Sequence, residues 1–461
     1  MIKLVRKRPI LHVTPTQNWM NDPNGLIYYR GEYHMFYQHY PYACEWGTMH
    51  WGHLVSPDLI HWEERAIALR PSVKSDCDGC FSGCAIEKDG KLYLYYTGVK
   101  YMEADPQKPH QLLNDELVCE QMMIISEDGK NFPEKNKRVI IPRLNDITFG
   151  SFNRTHDPKV WKGECGRYYM TFGSQYMENG ENNYIGEMLI YQSEDALHWE
   201  YLNRYADRKL GTMWECPTLI RIDGQAVLFL SAMHIQPGMS YRDNTIYELV
   251  EYEEITGTVS KIPQTTDQDT KECLSFPDYG MDTYAPHTFK GPDGEIIMYE
   301  WIRMPKPQTD ETWIGMMTLP RILHVKDHIL YSDIHPCIRQ LFCTEIPVQN
   351  ADLEHPIRIT GILDESSLLD IGGCVITVQD GRVCLDRRRS FPPELQKECW
   401  VMHKSPVLKA PYRLEIYMDV CVIEVYINEG QCVMTNVLYD VENRIFSEGI
   451  KDLHCYIDNK Q

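Results

Sequence analysis

The chain has 461 residues, 43% hydrophobic and 24% charged: the composition of an ordinary globular protein, but more chain than one hydrophobic core serves. With 46 basic against 66 acidic residues the net charge is −20, so there is no basic stripe for displacing phosphate counterions and no nucleic-acid partner is expected. The same balance argues against strongly anionic polymers as substrates, while a local basic pocket for a single phosphate stays compatible with it.

The chain begins MIKLVRKRPILHVTP, basic but without the apolar run of a signal peptide, and no later stretch is long and apolar enough to span a bilayer. The 16 cysteines are mostly scattered singly (Cys119, Cys216, Cys374, Cys421, Cys432), which reads as buried free thiols in a reducing cytoplasm. One denser group, 77-CDGCFSGC-84, has no second Cys/His pair matched to it. Packed thiols near a turn are expected there rather than zinc, and no metal or cofactor is implied.

A turn followed by an alternating aromatic strand then recurs five times: 30-RGEYHMFYQ, 89-DGKLYLYYTG, 165-CGRYYMTFGS, 223-DGQAVLFLSA and 293-DGEIIMYEW. A second marker accompanies it at 56-SPDLIHWEE, 126-SEDGKNF and 193-SEDALHWEY. Each unit has room for about four strands of ordinary length, and helical periodicity is scarce. The pattern predicts an all-β fold, a five-bladed β-propeller, with a large sandwich or barrel as the alternative.

Nine residues before the turn glycines Gly31, Gly166 and Gly224 stand Asp22, Asp157 and Glu215, each followed within two residues by proline. The other two units place Phe81 and Ala285 there. The first strand of each propeller blade lines the central axis, so matched positions point at one cavity. Acids gathered there repel one another and lose hydration, which a purely structural protein avoids. Two carboxyl groups facing one substrate are the standard equipment for cleaving glycosidic bonds, and mutual repulsion sets one of them apart as an acid. Trp19, Trp46, Trp51 and Trp214 lie close by in sequence and offer faces for sugar rings, with core packing the commoner use of tryptophan. No P-loop, Rossmann fingerprint, GxSxG elbow or HExxH motif competes.

These residues resemble glycoside hydrolase family 32, the invertase and fructanase family. WMNDPNG (19–25) is similar to its nucleophile motif, GCFSG (79–83) to a substrate-pocket motif and WECP (214–217) to its acid/base motif. FYQHYP (36–41), WGTMHWGH (46–53) and DYGMDTYAPHTF (278–289) resemble further segments in the family's order, and 414–436 resembles its C-terminal β-sandwich. The resemblance implies Asp22 as nucleophile, Glu215 as general acid/base and Asp157 as the transition-state stabiliser that holds fructose hydroxyls. It implies a fructose pocket lined by Asn21, Gln38, Trp46, Phe81 and Ser82; Trp301, which ends the fifth aromatic run, joins them as a substrate-binding candidate. Retention of anomeric configuration is expected, with the two carboxyls about 5–5.5 Å apart. One departure stands out: the family's Arg-Asp-Pro reads 156-HDP-158 here. Arg154, two residues earlier, is placed by strand alternation on the face of His156, so altered substrate choice is expected rather than lost catalysis.

The expected organisation is a propeller catalytic domain over 1–330, a connector over 331–349 and a β-sandwich over 350–461, with hairpins at 374-CVITVQDGRVCLDRR and 421-CVIEVYINEGQCVM. The sandwich holds no catalytic constellation and is a candidate surface for a homo-oligomer. The expected activity is that of a cytoplasmic β-fructofuranosidase releasing terminal fructose from sucrose, sucrose 6-phosphate or short fructo-oligosaccharides. The alternatives are a fructosyltransferase or anhydride-forming enzyme using the same acids, or a sugar-binding propeller without catalysis.

Overall fold

The computed structural model describes the chain except residues 1–7, 104, 109–112, 114–116, 146–149, 152, 178–183, 236–242, 263–273, 398 and 459–461, so the first half of the basic start lies outside the described residues. Strands dominate, and the α-helix among the described residues is the single short one at Pro336–Leu341. Among the described residues no helix is long and apolar enough to cross a membrane.

Two compact units emerge. One comprises residues 18–275 and 285–296, and the other residues 1–17, 276–284 and 297–461. The first holds four antiparallel meanders in which neighbours in sequence are neighbours in the sheet. Their leading strands are Asn18–Tyr29, Gly79–Lys88, Thr155–Lys162 and Met213–Ile222, the last three each at a sheet edge, and consecutive leading strands pack against one another. A fifth leading strand, Thr283–Lys290, opens the fifth repeat.

The repeat markers have simple local causes. At Asp89-Gly90 and Asp223-Gly224 both residues have positive φ (53° and 72°, 49° and 84°), the two-residue turn whose twist matches the flanking strands. In the second marker the serine ends the third strand of its sheet (Ser56, Ser126, Ser193) and an aspartate two residues on folds the chain back. The Asp58, Asp128 and Asp195 carboxylates each accept backbone N–H groups two and three residues ahead. Tyrosine earns its frequency as sheet packing: Tyr95, Tyr96 and Tyr169 are fully buried, and the Tyr95 hydroxyl donates to the Ala196 carbonyl of another repeat.

The other unit contains a six-stranded and a five-stranded antiparallel sheet built from residues 342–458. Both expected hairpins are present, with Asp380-Gly381 and Asn428–Gln431 as their turns. Five meanders followed by two further sheets are the parts of a five-bladed β-propeller with a C-terminal β-sandwich. All fifteen described cysteines are free, and Cys80, Cys84, Cys119, Cys374, Cys384, Cys421, Cys432 and Cys455 are buried.

This second unit is organised around one buried cation. Arg321 has no exposed surface and donates to Glu300 and Glu424 at 2.9 Å and to the Thr435 hydroxyl at 2.6 Å; Asp278 stands 2.9 Å away. Glu424 also meets His12 Nε2 at 3.0 Å and accepts the Leu319 N–H. Burial dominates at Glu300 and pushes its carboxyl up to about 8 despite Arg321, whereas Arg321 and His12 outweigh burial at Glu424 and bring it down to about 2. Arg321→Met strands these acids, and a loss of about 3–5 kcal/mol in urea unfolding is expected. Because burial already holds the Glu300 carboxyl up, Glu300→Gln is expected to cost less than Arg321→Met in the same measurement.

Candidate active site

The leading strands of the first unit are not regular. In each, a residue pair at one end and another further along bracket three residues that face only two on the second strand. The brackets are Met20↔His39 with Asn24↔Phe36, Cys80↔Gly98 with Cys84↔Tyr95, Thr155↔Ser174 with Lys159↔Thr171, and Trp214↔Ala232 with Thr218↔Phe229. The bulged triplets are therefore Asn21-Asp22-Pro23, Phe81-Ser82-Gly83, His156-Asp157-Pro158 and Glu215-Cys216-Pro217. A third residue that is proline or glycine suits a bulge, because proline has no N–H to leave unpaired. The middle residues Asp157 and Cys216 take positive φ, 68° and 48°, as does Ala285 before Pro286 at 51°.

The ladder corrects the register read from the turn glycines. Asp22 and Asp157 do occupy the same position, but their counterpart in the fourth sheet is Cys216, and Glu215 matches Asn21, Phe81 and His156. Counting from glycine misleads by one residue for two reasons. The first leading strand carries a second irregularity between Asn24 and Ile27, and the third ends in a longer turn.

The four middle residues meet. Ser82 Oγ donates to Asp22 Oδ2 at 2.5 Å, and Cys216 Sγ lies 3.6 Å from that oxygen and 3.5 Å from Asp157 Oδ2. One thiol thus bridges carboxylates from two different sheets. The Cys216 N–H also donates to Asp157 Oδ2 at 3.0 Å, while the Asp157 N–H is tied to the Thr97 hydroxyl. Asn21 Nδ2 donates to Asp22 Oδ1 at 3.0 Å while Asn21 Oδ1 accepts from Trp19 Nε1, and Gln38 Nε2 donates to Ser82 at 2.9 Å. His156 Nδ1 lies 2.9 Å from Asp157 Oδ2, and its ring stands edge-on to Phe81, which in turn meets Trp46.

Charge is distributed unevenly across this cluster. Asp22 is enclosed by protein while keeping some surface open to solvent. That enclosure, then the charge of Asp157, pushes it up to about 6, against the pull of Ser82, Asn21 and Cys216. At Asp157 burial is outweighed by His156 and by the Cys216 N–H, so it stays below the usual carboxylate range. Burial would also strip His156 of its proton, but Asp157 and then Glu215 hold it on. The Cys216 thiol is driven well up by burial and by all three acids, so it stands as an S–H donor. Glu215 is half-buried, and its charge acts on His156, Cys216 and Arg154, itself half-buried just before the third leading strand.

Not every candidate gathers here. Trp51 and Trp214 are fully buried, with indole N–H groups bound to the Phe81 and Leu210 carbonyls, so they pack the sheets rather than face a sugar. Trp301 belongs to the other compact unit. Sequence reasoning missed the bridging role of Cys216 and the anchor at Thr97. Aligning the X-Pro steps Asp157-Pro158 and Cys216-Pro217, instead of the turn glycines, would have revealed the first.

The N-terminal domain of the glycosyl hydrolases family 32 matches residues 12–333, and the family's C-terminal domain matches residues 375–457. A sucrose-6-phosphate hydrolase from Zymomonas mobilis is 33% identical over 478 residues, which span 95% of this chain and 87% of that one. A raffinose invertase from Escherichia coli is 30% identical, with 94% and 89% covered. Among solved structures, a GH32 beta-fructofuranosidase from Bombyx mori gives a TM-score of 0.79 at 26% identity over 98% of this chain and 95% of its own. The sucrose-6-phosphate hydrolase of Lactobacillus gasseri gives 0.82 at 24% identity, over 98% and 93%, a likeness of fold. With both family domains found in order, and relatives matched along nearly their whole length, the chain belongs to the glycosyl hydrolases of family 32.

Proposed function

We propose that this glycoside hydrolase is a retaining β-fructofuranosidase that removes terminal fructose from sucrose, sucrose 6-phosphate or a short fructo-oligosaccharide. The observation that carries the reading is the bridging of Asp22 and Asp157 by one thiol, with Glu215 as the residue next to it. Asp22 attacks the anomeric carbon and forms a fructosyl-enzyme bond while Glu215 gives its proton to the departing glycosidic oxygen. Glu215 then takes a proton from water, which attacks the same carbon and restores Asp22. Asp157, held ionised by His156, accepts hydrogen bonds from fructose hydroxyls and steadies the positive charge that develops on the ring.

Asn21 and Ser82 aim the nucleophile. Gln38 fixes Ser82, and the Trp46–Phe81–His156 edge supplies the apolar wall. The named activities of the relatives support a fructoside substrate, and their bacterial sucrose-6-phosphate hydrolases support a phosphorylated one in a cytoplasmic setting. Residues 1–330 are taken as the catalytic domain and 350–461 as its companion.

Glu215→Gln is expected to lower kcat by about three orders of magnitude or more while substrate affinity changes only a few-fold, in steady-state kinetics paired with calorimetric binding. A binding protein without catalysis would show no turnover to lose. Because the nucleophile must be ionised, kcat/KM is expected to fall below about pH 6, the value to which Asp22 is pushed. Ser82→Ala removes a hydrogen bond that favours the charged form, so the acidic limb should move to higher pH; a limb that stays fixed assigns it to another group. His156→Arg restores a permanent charge beside Asp157. It is expected to favour sucrose over small fructose disaccharides in a product screen, which also separates free fructose from transfer products.

A further inference from the structure

Two residues after Asp157 on the same strand stands Lys159, a lysine that the proposed reaction leaves unused. Protein surrounds its ammonium, and the residue lines a small cavity together with Asn24, Asp157 and His287. Burial pulls the ammonium down to about 8, and the titratable groups that act on it are the thiols of Cys84 and Cys216, both held protonated by burial, with no carboxylate among them. Lys159 Nζ donates to the Thr288 carbonyl at 2.5 Å and lies 3.4 Å from His287 Nδ1. An amine that donates to Nδ1 leaves the ring proton on Nε2, and burial with the charge of Lys159 keeps His287 neutral. The Gly83 carbonyl near this ring falls short of hydrogen-bond geometry, so the buried Nε2–H has no acceptor among the described residues.

Asn24 tells the same story from the first leading strand. Its Oδ1 accepts the Gly83 N–H at 3.2 Å, which fixes the amide's orientation. Its fully buried Nδ2 has no acceptor among the described residues either. Three residues on three leading strands thus line one cavity and carry donors: an ammonium, a buried imidazole N–H and a buried amide N–H. Uncompensated buried donors around a positive charge are what an anion requires.

We propose that this cavity is a binding site for one small monovalent anion of the halide class, held by the Lys159 ammonium, His287 Nε2–H and Asn24 Nδ2–H. The anion supplies the counter-charge that Lys159 lacks and ties the first, third and fifth leading strands together next to the strand residues that carry the acids. A water molecule satisfies the same donors but brings no charge, and the test separates the two.

Crystals of the full chain soaked in sodium bromide should give an anomalous peak within hydrogen-bond reach of Lys159 Nζ, and the peak should vanish in Lys159→Met. In parallel, wild-type protein in sodium chloride or bromide is melted against sodium gluconate at equal ionic strength. A saturable, halide-specific rise of about 2–4 °C is expected, and Lys159→Met or Lys159→Gln should abolish it. No peak at Lys159, a peak that survives in Lys159→Met, or equal melting in halide and gluconate would each overturn the proposal; the wild-type measurements stand even if a variant fails to fold.

Discussion

Everything in the first unit turns on holding two carboxylates, Asp22 and Asp157, against a single thiol. Neither acid would adopt that position alone. Each sits at the middle of a bulge in the leading strand of its own sheet, and the bulge turns the side chain out of the ladder toward the neighbouring sheets. The positive φ at Asp157 and Cys216 adds local strain, of order 1–3 kcal/mol each, that the surrounding sheets must sustain. The rest of the fold supplies that support through long, regular second and third strands, whose pairing runs without interruption beside the irregular first ones.

The cluster's chemistry follows from how it resolves the repulsion. Asp157 is given a cation, His156, and a backbone donor, and stays charged. Asp22 is given neutral donors only and is left near the middle of the physiological range. The two acids therefore differ in role because they differ in partners, although they occupy equivalent places in their strands. The contrast with Arg321 in the other unit is instructive. There a buried charge is surrounded by acids and hydrogen bonds and holds structure together, and none of its carboxylates is set apart for a reacting partner.

Much of this was legible in the sequence. The five turn glycines, the Ser-x-Asp markers and the hairpins in the last hundred residues each have a local cause, so they read directly from the residues. Asp22, Asp157, Ser82, Phe81 and Gln38 followed from pattern and resemblance, and they do lie together. What escaped was anything that depends on strand pairing. An extra bulge after Asn24 and a longer turn after Lys162 moved Glu215 one residue out of the expected register and put Cys216 in its place. No single-sequence rule shows such insertions, since a bulge is defined by what lies opposite. The tryptophans illustrate the same limit: Trp51 and Trp214 are close to the acids in sequence, yet their rings fill the space between sheets.

The central claim is that the fold sustains a free-energy cost at Asp22 so that a carboxylate stands ready at the site. With its folded value near 6, above the ordinary 3.8, Asp22 is protonated in both states below about pH 4 and ionised in both well above pH 6, so the penalty is absent at low pH and complete at neutral pH. Equilibrium unfolding of Asp22→Asn beside the wild type measures it directly. The variant should be more stable by about 2–3 kcal/mol at pH 7 and by well under about 1 kcal/mol at pH 4. A variant that is less stable, or whose difference from wild type is the same at both pH values, would contradict the account.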